Sequence, residues 1–159
     1  MLTLEEQLVD LLAKRQWTIT TAESCTGGMI AGTIVNVAGA SDVFNEGYVT
    51  YSNEAKHRLI GVSEETLKTF GAVSEQTAEE MARGAAVSAS SNLALSATGV
   101  AGPGGGTPEK PVGLVYIGCF LNGQVKVKEC RFDGNRTENR KHTVEEVLKF
   151  AIEMIRAAE

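Results

Sequence analysis

The stretch WTITTAESCTGGMIAG, residues 17–32, decides the fold. Its first part alternates and is rich in β-branched residues, which predicts a strand over 17–22. Its last part opens on Gly27 and Gly28 and runs on as MIAGTIVNVAG, small and apolar, which predicts a buried helix from 29 ending at Gly39. Ser24 and Cys25, two nucleophile types side by side, stand where the strand turns into the helix. A helix N-terminus carries unpaired N–H groups and a partial positive charge, so a serine there sits beside donors suited to an oxyanion or a bound anion. A plain helix cap by Ser24 or Thr26 uses the same residue types. The rest of the chain must decide between these uses, and between the two nucleophiles.

Outward from this stretch the alternation continues. Leu4, Leu8, Leu11 and Leu12 recur at helical spacing, which predicts an amphipathic helix over 3–15. GYVTYS, 47–52, is a second strand, and NEAKHRLIG after it a short helix capped by Asn53 and stopped at Gly61. Ser63 caps another short helix. Ser74 begins a longer one, EQTAEEMARGAAVSA, whose alanines and glycine allow close packing on a sheet. LALSATG, 93–99, is a buried strand that runs into the glycine-rich loop TGVAGPGGGTPEKPVG, 98–113. LVYIGCFL, 114–121, and QVKVKECRF, 124–132, flank Asn122-Gly123, a strong hairpin turn. The last helix spans about 136–157, with Val144, Val147, Leu148, Ala151, Ile152 and Ile155 on one face. Helices alternate with strands except at the hairpin, which predicts a single-domain α/β fold, a three-layer α/β/α sandwich with a mixed sheet. Ligand sites in such sheets lie beyond strand ends, where loops enter helices. AESCTGG and TGVAGPGGG both have that position.

Composition excludes several classes. The chain has 159 residues, the size of one domain, and a formal net charge of -5 with the two signs interspersed. No basic stripe offers a track for nucleic acid. MLTLEEQLVDLLAK at the start carries acids among its leucines, unlike a targeting peptide, and no apolar run approaches the length of a membrane span. The expectation is a cytoplasmic protein with neither a nucleic-acid nor a membrane partner. Cys25, Cys119 and Cys130 lack CxxC spacing, and Cys119 and Cys130 read as core residues. No Asp/Glu/His cluster has ligand spacing, so neither metal nor cofactor is expected.

A serine nucleophile needs a group to take its proton. His57 and His142 both lie in charged, solvated stretches, AKHRL and NRKHT. Lys56 follows the VTYS strand, and a short helix can aim it at a neighbouring strand end. A lysine partly buried there can lose its proton near neutral pH, although a lysine on its own is usually a surface charge and spacing does not overturn that. The glycine loop lacks both the GK[ST] ending of a P-loop and the GxGxxG register, and it leads into a strand instead of a helix. Gly99, Gly102, Gly104, Gly105 and Gly106 can still offer N–H groups to a phosphate or carboxylate.

Taken in order, AESCTGG (22–28), GYVTYSNEAK (47–56), GAVSEQTAEEMARGA (71–85), TGVAGPGGG (98–106) and KPVG (110–113) resemble the CinA C-terminal domain family over about residues 5–155. Its characterised enzymes are nicotinamide mononucleotide amidohydrolases. The resemblance implies a compact α/β/α domain, a homodimer or higher homo-oligomer, that hydrolyses the carboxamide of nicotinamide mononucleotide to nicotinate mononucleotide and ammonia. It implies a serine–lysine dyad, here Ser24 and Lys56. Tyr51, Asn53 and the glycine loop, with Thr98, Gly99 and Gly102, are where it puts substrate contacts. The mechanism so implied expects N–H groups near Thr26, Gly27 and Gly28 to hold the oxyanion, and Arg136 or Arg140, before the last helix, to meet the phosphate. Relatives often carry an additional N-terminal domain that this sequence does not show, which favours the amidohydrolase over a two-domain role. One departure is VAGAS, 37–41, where relatives often have a proline before the glycine. The competing expectations are a non-catalytic pyridine-nucleotide-binding module of a competence- or damage-related protein, and an amidase for another carboxamide.

Overall fold

In the computed structural model, which describes residues 1–159, the threonine-rich stretch forms β1 (Ile19–Glu23), buried along its whole length. It lies parallel to β2 (Tyr48–Val49) on one side and to β3 (Leu93–Gly99) on the other. β4 (Leu114–Leu121) returns antiparallel beside β3, and β5 (Gln124–Arg131) antiparallel beside β4. The mixed sheet therefore has the order β2-β1-β3-β4-β5. Asn122 and Gly123 both take positive φ in the β4–β5 turn, the conformation a two-residue hairpin needs.

Helices cover both faces. α1 (Leu4–Arg15), α2 (Met29–Ile34) and α6 (Arg136–Ala157) bury their apolar stripes on one face, against Ile19, Leu93, Leu95, Val115 and Ile117. α3 (Asn53–Ile60), α4 (Glu64–Phe70) and α5 (Glu75–Ala89) occupy the other. The first core joins 23 buried residues and the second only 8, half of them alanines, so the second face depends on close approach instead of bulk. Ser96 Oγ donates to the backbone carbonyl of Ala78 in α5 at 2.7 Å, and Gly118 faces Ser96 across the sheet. A Cβ on Gly118 would overlap the Ser96 hydroxyl, and one on Gly84 the Ile60 carbonyl oxygen. Gly118 thus lets α5 lie on the sheet, and Gly84 lets α3 lie against α5.

The connections place the site. From β1 the chain crosses through α2 on one face to β2, then passes through α3, α4 and α5 on the other face to β3. The crossover direction switches at β1, and a crevice opens beyond the carboxyl end of a strand at such a point. Ser24 is the residue that follows β1.

Besides β1, which starts at Ile19 and not at Trp17, three boundaries differ from the sequence expectation. α2 ends at Ile34 and not at Gly39: Asn36 and Val37 bond to Thr33 and Ile34, three residues back, tightening the chain into turns where β-branched residues crowd. β2 is two residues long, because past Val49 the chain leaves the ladder after one further bond, from Thr50 N–H to the Glu23 carbonyl at 2.8 Å. Ser52, not Asn53, caps α3: it is the residue with extended backbone, and its Oγ accepts from Ala55 N–H at 3.0 Å. No helix is long and apolar enough to cross a membrane.

Candidate active site

Ser24 is held at the end of the sheet by its own N–H, which donates to the Ala97 carbonyl of β3 at 2.9 Å. Beside it, α3 carries Lys56 inward until only 1% of the residue is exposed. Lys56 Nζ lies 3.0 Å from Ser24 Oγ, 2.9 Å from the Thr50 carbonyl oxygen and 3.3 Å from that of Tyr51. Burial lowers its pKa to about 8, so near neutral pH it is mostly an ammonium that donates to all three oxygens, with a minor fraction present as the neutral amine, which is the form able to act as a base. The three contacts then fix its orientation. A neutral amine has two N–H donors and one lone pair, and the two carbonyls can only accept. They take both N–H groups, and the lone pair is left facing the Ser24 hydroxyl proton.

Cys25 is differently disposed. Its side chain belongs to the core on the α6 face, and burial pushes the thiol up to about 11, so it is protonated at neutral pH. A buried thiol is a poor nucleophile. Cys119 and Cys130 are buried in the same core. The histidines lie elsewhere: His57 bonds to the Val62 carbonyl at 2.8 Å and pairs with Glu64, and His142 packs on Phe132 with ring centroids 5.6 Å apart.

A cavity of about 320 Å³ opens over the pair. Tyr51 borders it on the α3 side, Ala72 and Val73 come from the loop before α5, and Thr98, Gly99, Ala101, Gly102, Gly104 and Gly105 from the glycine loop. Thr98 Oγ1 is already used, donating to the Ala72 carbonyl at 2.8 Å and so tying the two loops together. Arg136, exposed at the start of α6, spans the mouth: it donates to the Gly102 carbonyl at 2.7 Å and to the Tyr51 hydroxyl at 3.2 Å. It is the cation of the cavity rim.

Several residues expected at the site are placed otherwise. Arg140 turns its guanidinium to the backbone, donating to the carbonyls of Cys25 at 2.9 Å and Thr26 at 3.1 Å, so it braces the turn and does not line the cavity. Thr26 is fully buried, its hydroxyl donating to Glu23 Oε1 at 2.7 Å. The Gly27 N–H is spent on the Ser24 carbonyl at 3.1 Å. Gly27 and Gly28 are needed for their φ of 56° and 105°, a left-handed path that makes the tight turn. Of the turn, only Ser24 and Cys25 line the cavity, and the Cys25 N–H donates to no backbone carbonyl. Asn53 lies at the exposed start of α3, on a separate shallow groove with Glu54 and His57. Sequence reasoning missed Ala72 and Val73, which carry no chemical signal, and Glu23, which does: an acid ending a buried strand, before a helix with glycine at its cap.

Fold and site together define an α/β domain with a serine–lysine pair at the topological switch point. Residues 1–155 match the CinA C-terminal domain family, and the chain belongs to it. It is 55% identical over 156 residues to a CinA-like protein of Kosmotoga olearia, a match covering 98% of this chain and 37% of that one. The chain thus spans little more than a third of the length of the curated relatives it matches. Among solved structures it is similar to the competence/damage inducible protein CihA of Agrobacterium tumefaciens, with a TM-score of 0.91 and 48% identity over 94% of this chain and 92% of that one. A CinA superfamily protein of Klebsiella pneumoniae gives a TM-score of 0.93 at 33% identity, covering 97% and 96%.

Proposed function

We propose that this chain is an amidohydrolase that converts nicotinamide mononucleotide to nicotinate mononucleotide and ammonia. The observation that carries the proposal is the Lys56 Nζ to Ser24 Oγ contact of 3.0 Å, with both other partners of the amine acceptors only. Ser24 Oγ attacks the carboxamide carbon while the Lys56 amine takes its proton. The Cys25 N–H receives the oxyanion as it forms. The resulting ammonium of Lys56 passes its proton to the amide nitrogen as the C–N bond breaks, releasing ammonia and leaving an acyl-serine. Water then attacks the ester carbonyl with Lys56 again as base, and the proton returns to Ser24 Oγ as it leaves. The net reaction consumes one water and regenerates both residues. The choice of a nucleotide substrate draws on the family and on the cavity itself: Arg136 and the glycine loop line a space of about 320 Å³, suited to a small anion-bearing ligand.

The pH profile tests this reading. Only the unprotonated amine can accept the serine proton, and Lys56 titrates at about 8. Ammonia release under kcat/KM conditions should therefore climb about tenfold per pH unit below the Lys56 midpoint and level off above it. A flat profile across that midpoint would remove Lys56 as the base.

A further inference from the structure

Glu23 is fully buried one residue before the nucleophile, and no step above uses it. Its carboxylate accepts three hydrogen bonds: Oε1 from Thr26 Oγ1 at 2.7 Å and from Ile30 N–H at 2.8 Å, and Oε2 from Ala31 N–H at 3.0 Å. The need for an internal acceptor is local. α2 begins after Gly28, which has no side chain to cap it, so the N–H groups of its first turn must find a partner elsewhere. Glu23 supplies that partner from the end of β1, reaching across the whole Ser24–Gly28 turn. Three donors also offset the cost of keeping a carboxylate out of water. The turn is thus held twice, by Glu23 on its hydroxyl and the helix N–H groups after it, and by Arg140 on its carbonyls.

We propose that Glu23 is the positioning residue of the nucleophile: by tying Thr26 and the first turn of α2 to the end of β1, its carboxylate fixes Ser24 Oγ within reach of Lys56 Nζ. Glu23 makes no side-chain bond to Lys56, whose partners are Ser24, Thr50 and Tyr51. It therefore acts on where the nucleophile lies and not on the proton affinity of the base. A corollary concerns the ligand. The start of α2, where the sequence pointed to a bound anion, is already filled by this internal carboxylate, so an anionic group of the substrate is received at the Arg136 side of the cavity.

The inference rests on the serine–lysine reading of the site but not on its substrate, and the test keeps the two apart. A fluorophosphonate, which labels an activated serine whatever the natural substrate, is reacted with the full chain and with Glu23→Gln and Glu23→Ala, alongside thermal melting. Glutamine keeps the shape, but its amide N–H₂ must face either the Ala31 N–H or the Thr26 and Ile30 donors. Labelling of Ser24 should slow about tenfold in Glu23→Gln and roughly 10²-fold in Glu23→Ala, with the pH midpoint of labelling unmoved. A folded Glu23→Gln that labels at the unsubstituted rate overturns the proposal, as does a shifted midpoint with an unchanged plateau. Should Glu23→Ala fail to fold, Glu23→Gln alone decides. Slowed labelling in a protein that releases no ammonia from nicotinamide mononucleotide would sink the substrate assignment and leave the role of Glu23 standing.

Discussion

Lys56→Met should lower ammonia release from nicotinamide mononucleotide by roughly 10³-fold in kcat while the protein stays folded. Methionine fills most of the lysine's volume in its buried channel but offers no lone pair to the Ser24 hydroxyl and no proton to the departing ammonia. Both chemical steps that need a proton transfer lose their carrier. The Thr50 and Tyr51 carbonyls also lose their donor, which will cost some stability, so melting must be followed alongside the rate. Lys56→Arg is the informative companion. It keeps the positive charge and the donors, but a guanidinium does not deprotonate in this pH range, so the arginine variant should be as inactive as the methionine one. Activity in Lys56→Arg would mean that the site needs a cation and not a base.

The second large effect separates the two adjacent nucleophile types. Ser24→Ala should lower kcat by roughly 10⁴-fold or more, because losing the attacking atom leaves only binding and the oxyanion donor. Cys25→Ala should keep activity within about tenfold, since its protonated thiol sits in the core and the proposed mechanism uses only its backbone N–H. Its cost appears in stability, as a shortened core side chain. Initial rates of ammonia release from both variants, with melting curves, check the pair. Loss of turnover in a folded Cys25→Ala with retention in Ser24→Ala would reverse the assignment.

Much of the fold was legible because the signals are local. Threonine and isoleucine at 18–21, paired glycines and then a small apolar run specify a strand, a left-handed turn and a helix whatever lies around them. Asn122-Gly123 announces its hairpin for the same reason. The edge strand was overestimated because β2 pairs on one side only, and its ladder ends where the Thr50 and Tyr51 carbonyls turn to Lys56. The site was legible in part. Ser24 could be placed at a strand end from sequence, but the burial of Lys56 comes from tertiary packing that the NEAK run does not encode. Arg136 and Arg140 stand one helical turn apart and look equivalent in sequence. Only the fold gives one the mouth of the cavity and the other the carbonyls of the serine turn. Glu23 was overlooked for the converse reason: its role is to satisfy donors that a glycine cap leaves open, and the reach of its side chain across the turn to the Ile30 and Ala31 N–H groups shows only in the fold.

The most direct test is to incubate the purified chain with nicotinamide mononucleotide and follow ammonia and nicotinate mononucleotide together. The account predicts that both appear one for one, turnover after turnover, and that Ser24→Ala produces neither. Absence of ammonia from the folded, unsubstituted protein, or equal turnover by Ser24→Ala, would contradict it.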